Sequence, residues 1–228
     1  MLVSVIIVAA GNGRRMGNVK KQFLELCGVP VVAYSIKKFN SLDIVDDIIL
    51  VTSKEDILFC KNIVKKYGFN KISSVICGGD TRCESVFCGI KSVASNCDLV
   101  AIHDAARPLI KEEDIRAVIN EALESNAAVL AVNSKDTVKI SDSNNNVYQT
   151  PARNRVWQIQ TPQVFRYDLI AKAYGAIKDS FDNFTDDASV AEHFGINVKI
   201  VPGSYDNIKI TTQEDMNIAE FLIKKQFG

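Results

Sequence analysis

The chain has 228 residues, and its 27 lysine and arginine residues balance 27 aspartate and glutamate residues. This length buries enough surface for folding without a disulfide or metal cross-link, and a composition of 47% hydrophobic and 24% charged residues excludes a disordered chain. The formal net charge of zero excludes a general nucleic-acid binder, which would carry a basic excess, but it permits a local basic pocket.

Short apolar runs alternate with amphipathic stretches along the chain, which indicates strands that alternate with helices. The first run, residues 3–8, is continuous and β-branched, as expected of a central parallel strand covered on both faces. Similar runs predict further strands at residues 48–52, 72–76, 99–102, 128–132 and 198–201. Amphipathic stretches predict helices at residues 31–39, 57–67, 81–94, 112–125, 167–180 and 214–226. This order favours an α/β fold with a doubly wound, mostly parallel, Rossmann-like sheet.

Capping signals mark the start of three of these helices. Pro30 suits the first position of the first helix, because proline lacks the N–H that this position leaves unpaired. The pair Thr81 and Glu84 has the spacing of a capping box, and we predict the same for Thr211 and Glu214 at the last helix.

One segment interrupts the alternation. Residues 137–140 and 147–150 resemble two short strands joined by turn-forming residues 141–146, which predicts a β-hairpin. Two strands alone are marginal in water, so this hairpin needs a surface to pack on, either the main body or a second subunit. We find no linker or internal repeat, and we therefore expect one domain, residues 1–228, with a protruding β-arm at about 134–155.

The cysteines and the first apolar run both favour a cytoplasmic protein. The six cysteines form no C-x-x-C pair, and the two histidines have no metal-type spacing to them, so we expect reduced and mostly buried thiols. Residues 2–10 are too few to cross a bilayer and lack the basic region of a signal peptide. We expect no membrane partner.

The strongest functional signal follows the first strand, in the segment AAGNGRRMG at residues 9–17. Ligands of open α/β sheets bind beyond the carboxyl ends of the strands, where small residues allow backbone N–H groups to approach an anion. Arg15 and Lys21 would add fixed positive charge there. The spacing fits neither the G-x-G-x-x-G fingerprint, because residue 16 is Met, nor the Walker pattern, because no lysine follows Gly17. This disfavours an NAD-dependent oxidoreductase, although a glycine-rich turn with basic side chains also occurs without any ligand.

Asp104 follows the apolar run 99–102 in the segment HDAARP. A carboxylate at the tip of a central strand is well placed to hold Mg²⁺ against substrate phosphates, and the alternative is a turn aspartate ahead of Pro108. We expect His103 to be a packed or hydrogen-bonding neighbour rather than a catalytic base.

A second glycine turn lies in residues 77–85 and leads into a helix N-terminus, which is a natural acceptor for anions or base edges. Helix capping accounts for the threonine and glutamate of this segment. It does not account for Asp80, Arg82 and Ser85, which are candidate ligand contacts.

Three late fragments, QTPQ at 160–163, TDDA at 185–188 and NIKIT at 207–211, complete the set of motifs. Thr185 before two acids is also typical of a helix N-cap. Lys209 interrupts an apolar strand, and a lysine in such a place is usually a solvated edge residue.

Together these segments resemble the nucleotidyltransferases that activate sugar or polyol phosphates, and among them the 2-C-methyl-D-erythritol 4-phosphate cytidylyltransferases. The resemblance covers almost the whole chain in the order AAGNGRRM, KQF, GGDTRCESV, HDAARP, DTVK, QTPQVF, TDDA and NIKIT. The segment between Met16 and Lys21 is one residue shorter than in some members. We assign the lysine of the motif to Lys21, not Lys20, because it directly precedes Gln22.

This resemblance implies an enzyme that transfers CMP from CTP to 2-C-methyl-D-erythritol 4-phosphate and releases pyrophosphate. Ribitol 5-phosphate cytidylyltransferases are an alternative, which is disfavoured by Ala106, by Leu109 and by the TDDAS form of residues 185–189. A non-catalytic nucleotide-binding module on the same fold is the alternative from another class. Such a module would not need the cations and the carboxylate of a transfer site.

The resemblance also implies the residues of the site. The expected contacts to CTP are Ala9, Ala10, Gly11, Gly13, Arg15, Lys21, Gly79, Asp80, Arg82, Ser85, Asp104 and Ala105. The expected contacts to the polyol phosphate are Asp104, Arg107, Thr137, Arg153, Thr161, Thr185 and Lys209. The expected catalytic residues are Arg15, Lys21, Arg153 and Lys209, with Asp104 as the ligand of Mg²⁺. Members of the family use the arm to reach a second subunit, so a homodimer is expected in which Thr137 and Arg153 contact the neighbour's substrate.

Overall fold

The computed structural model describes residues 1–11, 20–178 and 180–227. The strands among them are β1 (Val3–Val8), β2 (Glu25–Leu26), β3 (Val29–Pro30), β4 (Asp47–Thr52), β5 (Ile72–Cys77), β6 (Leu99–Asp104), β7 (Ala127–Asn133), β8 (Ile140–Ser141), β9 (Val147–Gln149), β10 (Trp157–Arg166) and β11 (Lys199–Pro202). The helices are α1 (Val31–Asn40), α2 (Ile57–Tyr67), α3 (Arg82–Ser92), α4 (Glu112–Ser125), α5 (Tyr167–Ala176), α6 (Asp187–His193) and α7 (Gln213–Phe227). Every strand and helix predicted from the periodicity is present. The bounds of β1, α2 and α4 are those predicted, and the others differ at one or both ends. The elements β2, β3, β10 and α6 were not predicted.

Seven strands form one mixed sheet in the order β11-β7-β10-β6-β1-β4-β5. All neighbouring pairs are parallel except those of β10, which runs antiparallel to both β6 and β7. The expectation of a mostly parallel α/β sheet is therefore confirmed, and β10 is the exception that the sequence pattern did not reveal.

The core lies on both faces of this sheet, as a doubly wound fold requires. Successive side chains of a strand point to opposite faces. Val5 and Ile7 of β1 accordingly pack in the cluster that contains Ile36 of α1, whereas Ile6 packs in the cluster that contains Ile90 of α3. This two-sided burial explains why β1 is apolar at nearly every position.

The capping box at α3 is confirmed, since the Thr81 hydroxyl accepts a hydrogen bond from the Glu84 N–H at 3.1 Å and Glu84 Oε2 accepts one from the Thr81 N–H at 3.0 Å. The box predicted at the last helix is wrong by one residue. The Thr212 hydroxyl accepts from the Asp215 N–H at 3.2 Å, and the Asp215 carboxylate accepts from the Thr212 N–H at 2.8 Å. Pro30 belongs to β3 and is the N-cap residue of α1, which begins at Val31 as predicted.

The predicted hairpin is present as the short antiparallel pair β8 and β9. The Asp142 carboxylate closes its turn by accepting hydrogen bonds from the N–H groups of Asn144 and Asn146 at 2.9 and 2.8 Å. Val147 and Tyr148 are exposed, at 57% and 67%. The arm thus presents large side chains to solvent.

All six cysteines are free thiols, but Cys27 and Cys77 are exposed and only Cys60, Cys83 and Cys97 are buried, so the expectation of mostly buried thiols is met by half of them. Over the described residues, no helix combines the length and the apolar character that crossing a membrane requires.

Candidate active site

A cavity of about 430 Å³ lies at the carboxyl ends of β1 and β6. The predicted residues that line it are Ala9, Ala10, Gly11, Lys21, Gly79, Asp80, Arg82, Ser85, Asp104 and Lys209. The parallel register pairs Val8 with Asp104, so the segment after β1 lies beside the end of β6, at the carboxyl ends of both strands. Residues that are far apart in the sequence are brought together there because ligand sites of open α/β sheets form where parallel strands end.

The turn before α3 requires its glycines. A Cβ atom on Gly79 would clash with the Glu84 side chain, with Oε2 only 2.7 Å away, and one on Gly78 would lie 2.5 Å from the Ser85 hydroxyl oxygen. The Ser85 hydroxyl accepts a hydrogen bond from the Gly79 N–H at 3.2 Å and lies 2.9 Å from the Thr81 carbonyl oxygen. Ser85 therefore shapes the cavity wall while it lines the cavity.

Each carboxylate oxygen of Asp104 pairs with one basic side chain. The Arg82 Nε–H donates to Oδ1 at 2.9 Å, and the Lys209 ammonium forms an ion pair with Oδ2. Burial alone would raise the pKa of Asp104, but Arg82 and Lys209 together lower that pKa to well below its usual range. Asp104 is therefore an anion at physiological pH, and of its two partners Lys209 is the more exposed to solvent.

The Arg82 guanidinium also binds Asp187, a residue that the sequence reasoning missed. Nη1 and Nη2 of Arg82 donate to the two carboxylate oxygens of Asp187 at 3.0 and 2.8 Å. The hydroxyl of Tyr174 donates to Oδ1 of Asp187 at 2.6 Å. The sequence signal was the TDDA fragment, whose second acid is fully buried. A fully buried acid needs a charged or hydrogen-bonding partner.

The lysine assignment agrees with the geometry. Lys21 is 9% exposed, lines the cavity and donates from its ammonium to the carbonyl of Thr211, two residues after Lys209. Lys20 instead pairs with Asp56. Gln22, the second residue of the KQF motif, donates from Nε2 to the carbonyl oxygens of Ala9 at 2.7 Å and Gly11 at 3.0 Å. Gln22 thus fixes the backbone at the end of β1.

Thr161 and His103 lie beneath the cavity rather than in its lining. The Thr161 hydroxyl oxygen accepts a hydrogen bond from the Asp104 N–H at 3.1 Å and lies 3.2 Å from His103 Nδ1. His103 Nε2 faces the Arg107 carbonyl oxygen at 3.2 Å, so Nε2 carries the proton and Nδ1 accepts from Thr161. Thr161 therefore orients the backbone of Asp104, whereas the sequence had predicted it in the substrate pocket.

Burial lowers the pKa of His103 to about 4, against the opposing effect of the Asp104 charge. The neutral, fully buried ring packs on Phe39, with 4.9 Å between ring centroids. This confirms the expectation of a packed and hydrogen-bonded neighbour.

Lowering the pH should destabilise the protein through His103. The unfolded histidine takes up its proton near pH 6.5 and the folded one only near pH 4, so stability is complete above about 6.5 and falls as the pH approaches about 4. The loss is at most about 3 kcal/mol. Urea unfolding at several pH values should show a His103→Gln variant to be less sensitive in this window. Parallel pH profiles for the two proteins would contradict the assignment.

Other predicted residues are not brought to the cavity. Arg107 donates from Nη1 to the Asn207 carbonyl oxygen at 2.7 Å and braces the segment before Lys209 instead of lining the cavity. Ala105 is fully buried, and its neighbour Ala106 lines the cavity in its place.

Thr137 and Arg153 lie on the exposed arm, where Arg153 donates to the Lys135 carbonyl oxygen at 3.3 Å. Thr185 is exposed at a second cavity, of about 140 Å³, which shares Thr81 and Arg82 with the first. The helix cap considered for Thr185 is provided by Asp186, whose carboxylate accepts from the Ser189 N–H at 2.9 Å. The predictions for Gly13 and Arg15 lie outside the described residues.

Comparison with known proteins gives the same family. A sequence model of the family described as 2-C-methyl-D-erythritol 4-phosphate cytidylyltransferase (IspD) matches residues 3–225. A protein of that name from Alkaliphilus oremlandii is 48% identical over 223 residues, which are 97% of this chain and 94% of the relative. One from Caldanaerobacter subterraneus is 44% identical over 228 residues, which are 99% of this chain and 100% of the relative.

Solved structures show the same similarity. The crystal structure of 4-diphosphocytidyl-2C-methyl-D-erythritol synthase from Anaerococcus prevotii has a TM-score of 0.87 at 37% identity and covers 98% of both chains. The 2-C-methyl-D-erythritol 4-phosphate cytidylyltransferase of Francisella tularensis has a TM-score of 0.81 at 33% identity, over 97% of this chain and 99% of that one. With the cavity described above, these similarities show that the chain belongs to the 2-C-methyl-D-erythritol 4-phosphate cytidylyltransferase family of nucleotidyltransferases.

Proposed function

We propose that the protein transfers the cytidylyl group of CTP to 2-C-methyl-D-erythritol 4-phosphate and releases pyrophosphate, a step of isoprenoid precursor synthesis. Family membership supports this activity. The observation that carries it in this chain is the cavity lined by Lys21, Arg82 and Lys209, of which Arg82 and Lys209 pair with Asp104. Fixed cations of this kind suit a highly anionic pair of substrates.

The chemistry needs positioning and charge more than proton transfer. An oxygen of the substrate phosphate attacks the α-phosphorus of CTP, the new P–O bond forms, and the bond to the pyrophosphate oxygen breaks. A phosphate monoester with a second pKa of about 6 is largely a dianion at neutral pH, so it needs no general base. His103, buried and with a pKa of about 4, fits this absence of a base. Mutual repulsion of the anions sets the barrier, and Lys21 and Lys209 lower it.

We propose Lys21, Lys209, Arg15 and Arg153 as catalytic residues, with the nucleotide between the end of β1 and the turn before α3. The small residues Ala9, Ala10 and Gly11 and the turn at Gly79 allow close approach of a ligand. Arg107 and Thr161 would affect acceptor binding indirectly, because Arg107 holds the segment before Lys209 and Thr161 orients the backbone of Asp104. Thr185 would contact the acceptor from the second cavity.

The residues at the cavity fit a divalent cation that arrives with the nucleotide. Among the described residues, no group of three or more His, Cys, Asp or Glu side chains is arranged to hold a metal by itself. Mg²⁺ typically needs only one or two carboxylates together with substrate phosphates, and Asp104 offers an ionised carboxylate at the cavity. When bound there, Mg²⁺ would neutralise phosphate charge and orient the triphosphate.

Turnover tests this function directly. Pyrophosphate release from CTP and Mg²⁺ should require 2-C-methyl-D-erythritol 4-phosphate, and kcat/KM with ribitol 5-phosphate should be far lower. The family comparisons do not favour the ribitol enzyme. A higher kcat/KM with ribitol 5-phosphate would overturn the choice of acceptor, and binding of CTP without turnover on either acceptor would indicate a binding module.

We further propose a homodimer in which the arm reaches the second subunit, so that Thr137 and Arg153 contact the neighbour's substrate. The exposed Val147 and Tyr148 support this, because apolar side chains on a two-stranded arm gain stability only when another surface covers them. We also propose that the chain is one domain and that it works in the cytoplasm, where its six free thiols stay reduced.

Shortening the arm should dissociate the dimer. A variant in which a short glycine turn replaces residues 138–149 should remain folded, because Asn133 and Trp157 still pair directly across β7 and β10. We expect light scattering to give a dimer mass for the wild type and a monomer mass for this variant. A monomeric wild type, or a dimeric variant, would contradict the proposal.

A further inference from the structure

Arg82 is held from two sides at once. Its Nε donates to Oδ1 of Asp104, and its two Nη atoms donate to the carboxylate of Asp187. These bonds use three of the five N–H donors of the guanidinium. Hydrogen bonds along two edges of the planar guanidinium restrict it to one orientation, whereas a single ion pair would leave it free to rotate.

The sheet itself fixes the position of Asp187. This residue is fully buried at the start of α6, which the Asp186 cap begins. Gln163 of β10 donates from Nε2 to Asp186 Oδ2 at 2.9 Å and accepts from the Ala188 N–H at 2.8 Å. The two hydrogen bonds from one strand residue flank Asp187 on either side. Asp187 is therefore a rigid anchor for the guanidinium.

The two basic side chains that pair with Asp104 differ in how firmly they are held. The Lys209 side chain is 39% exposed and reaches Asp104 through one ammonium group. Arg82 is less exposed, at 28%, and is tied to a second carboxylate that is inaccessible to solvent. An incoming phosphate or cation can therefore displace Lys209 from Oδ2 more easily than it can displace Arg82 from Oδ1.

We propose that Asp187 is a positioning residue of the transfer reaction, which holds Arg82 on Oδ1 of Asp104 and so keeps Oδ2 directed into the cavity when Lys209 turns to the substrates. This role rests on the proposed function and deepens it. Asp187 itself does not line the cavity, so it acts only through Arg82. The competing explanation is that Asp187 merely ties α6 to α3.

The test compares Asp187→Asn with Tyr174→Phe. Asparagine keeps the shape of Asp187 and removes its charge, whereas Tyr174→Phe removes the other side-chain hydrogen bond to Asp187 and leaves Arg82 in place. We expect Asp187→Asn to lower kcat by roughly tenfold to a hundredfold, as for a slight misplacement of reacting groups, and to leave the KM for the polyol phosphate nearly unchanged. Tyr174→Phe should keep kcat within about threefold, although both variants lose thermal stability.

Calorimetric titration of CTP with Mg²⁺ provides a readout that does not depend on turnover. Asp187→Asn should bind CTP with Mg²⁺ roughly tenfold more weakly than the wild type, and Tyr174→Phe should bind it as the wild type does. Equal CTP affinity and equal kcat in wild type and Asp187→Asn would overturn the proposal. If the wild type showed no transfer at all, the proposed function would fail, while the titration would still compare the variants.

A second variant covers the case in which Asp187→Asn does not fold. Arg82→Lys keeps the positive charge, but an ammonium group cannot bridge Asp104 and Asp187 in the same fixed geometry. We expect the same loss of kcat and of CTP affinity in Arg82→Lys. Where both single variants fold, the double variant should be no worse than the poorer single variant, because the residues act as one unit. Wild-type kinetics in Arg82→Lys would overturn the proposal as well.

Discussion

Asp104→Asn should lower kcat by roughly a hundredfold to a thousandfold, comparable to the loss of one electrostatic contact to a transition state. The substitution keeps the shape of the side chain but removes the charge that Arg82 and Lys209 share. A divalent cation that arrives with the nucleotide would then lose its proposed carboxylate ligand. Steady-state kinetics with saturating CTP and acceptor measure this effect.

Stability should change much less than activity in this variant. Removing one partner of a buried ion pair is costly when the other charge is left unpaired. Here Arg82 retains Asp187, and the partly exposed Lys209 can turn to water, so we expect a loss of only about 1–2 kcal/mol.

The matched control is Asp47→Asn. Asp47 lies at the amino end of β4, whereas the cavity lies at the carboxyl ends of the parallel strands. Its carboxylate accepts a hydrogen bond from the Ser73 hydroxyl at 2.9 Å. It should reproduce the loss of a partly buried carboxylate without a change in kcat. An Asp104→Asn enzyme with a kcat within about threefold of the wild type would remove Asp104 from the mechanism.

Lys21→Ala should lower kcat/KM by roughly thirtyfold to a thousandfold, which corresponds to about 2–4 kcal/mol of transition-state stabilisation. Its ammonium is held at the Thr211 carbonyl, and the Lys21 side chain is only 9% exposed. A fixed charge in such a place stabilises developing phosphoryl charge more than a solvated one does. Initial rates at limiting CTP give kcat/KM directly.

Lys20→Ala is a control from the neighbouring position. The Lys20 ammonium pairs with Asp56 and donates to the Ser53 hydroxyl at 3.1 Å, outside the cavity lining. Its removal should cost at most about 1 kcal/mol of stability and leave kcat/KM unchanged. A larger kinetic effect of Lys20→Ala than of Lys21→Ala would reverse the assignment of the motif lysine.

Local patterns predicted those parts of the fold that depend on local forces. The β-branched run of β1 and the capping box of Thr81 and Glu84 involve neighbouring residues, and both are present as expected. The strand β10 was missed because glutamines interrupt its apolar pattern and a bulge shifts its register between Ile159 and Gln163. Only pairing with β6 and β7 makes this segment a strand.

The candidate site shows the same division. The glycine turns and Asp104 could be found because each stands at the end of an apolar run. The pairing of Arg82 with Asp187 joins residues 105 positions apart, and periodicity contains no information about such a contact. The positions of Thr161 and Arg107 likewise depend on how β10 and the segment before Lys209 pack against β6.

The reversed strand β10 also determines where the arm emerges. Because β10 is antiparallel to β6 and β7, it starts beside the residue at which β7 ends, and Trp157 pairs with Asn133. Everything between these two residues is an insertion whose ends are already held together. Lengthening such an insertion costs little, only about 0.6 kcal/mol for each doubling of loop length. The length of the arm can therefore change without altering the sheet that carries the cavity.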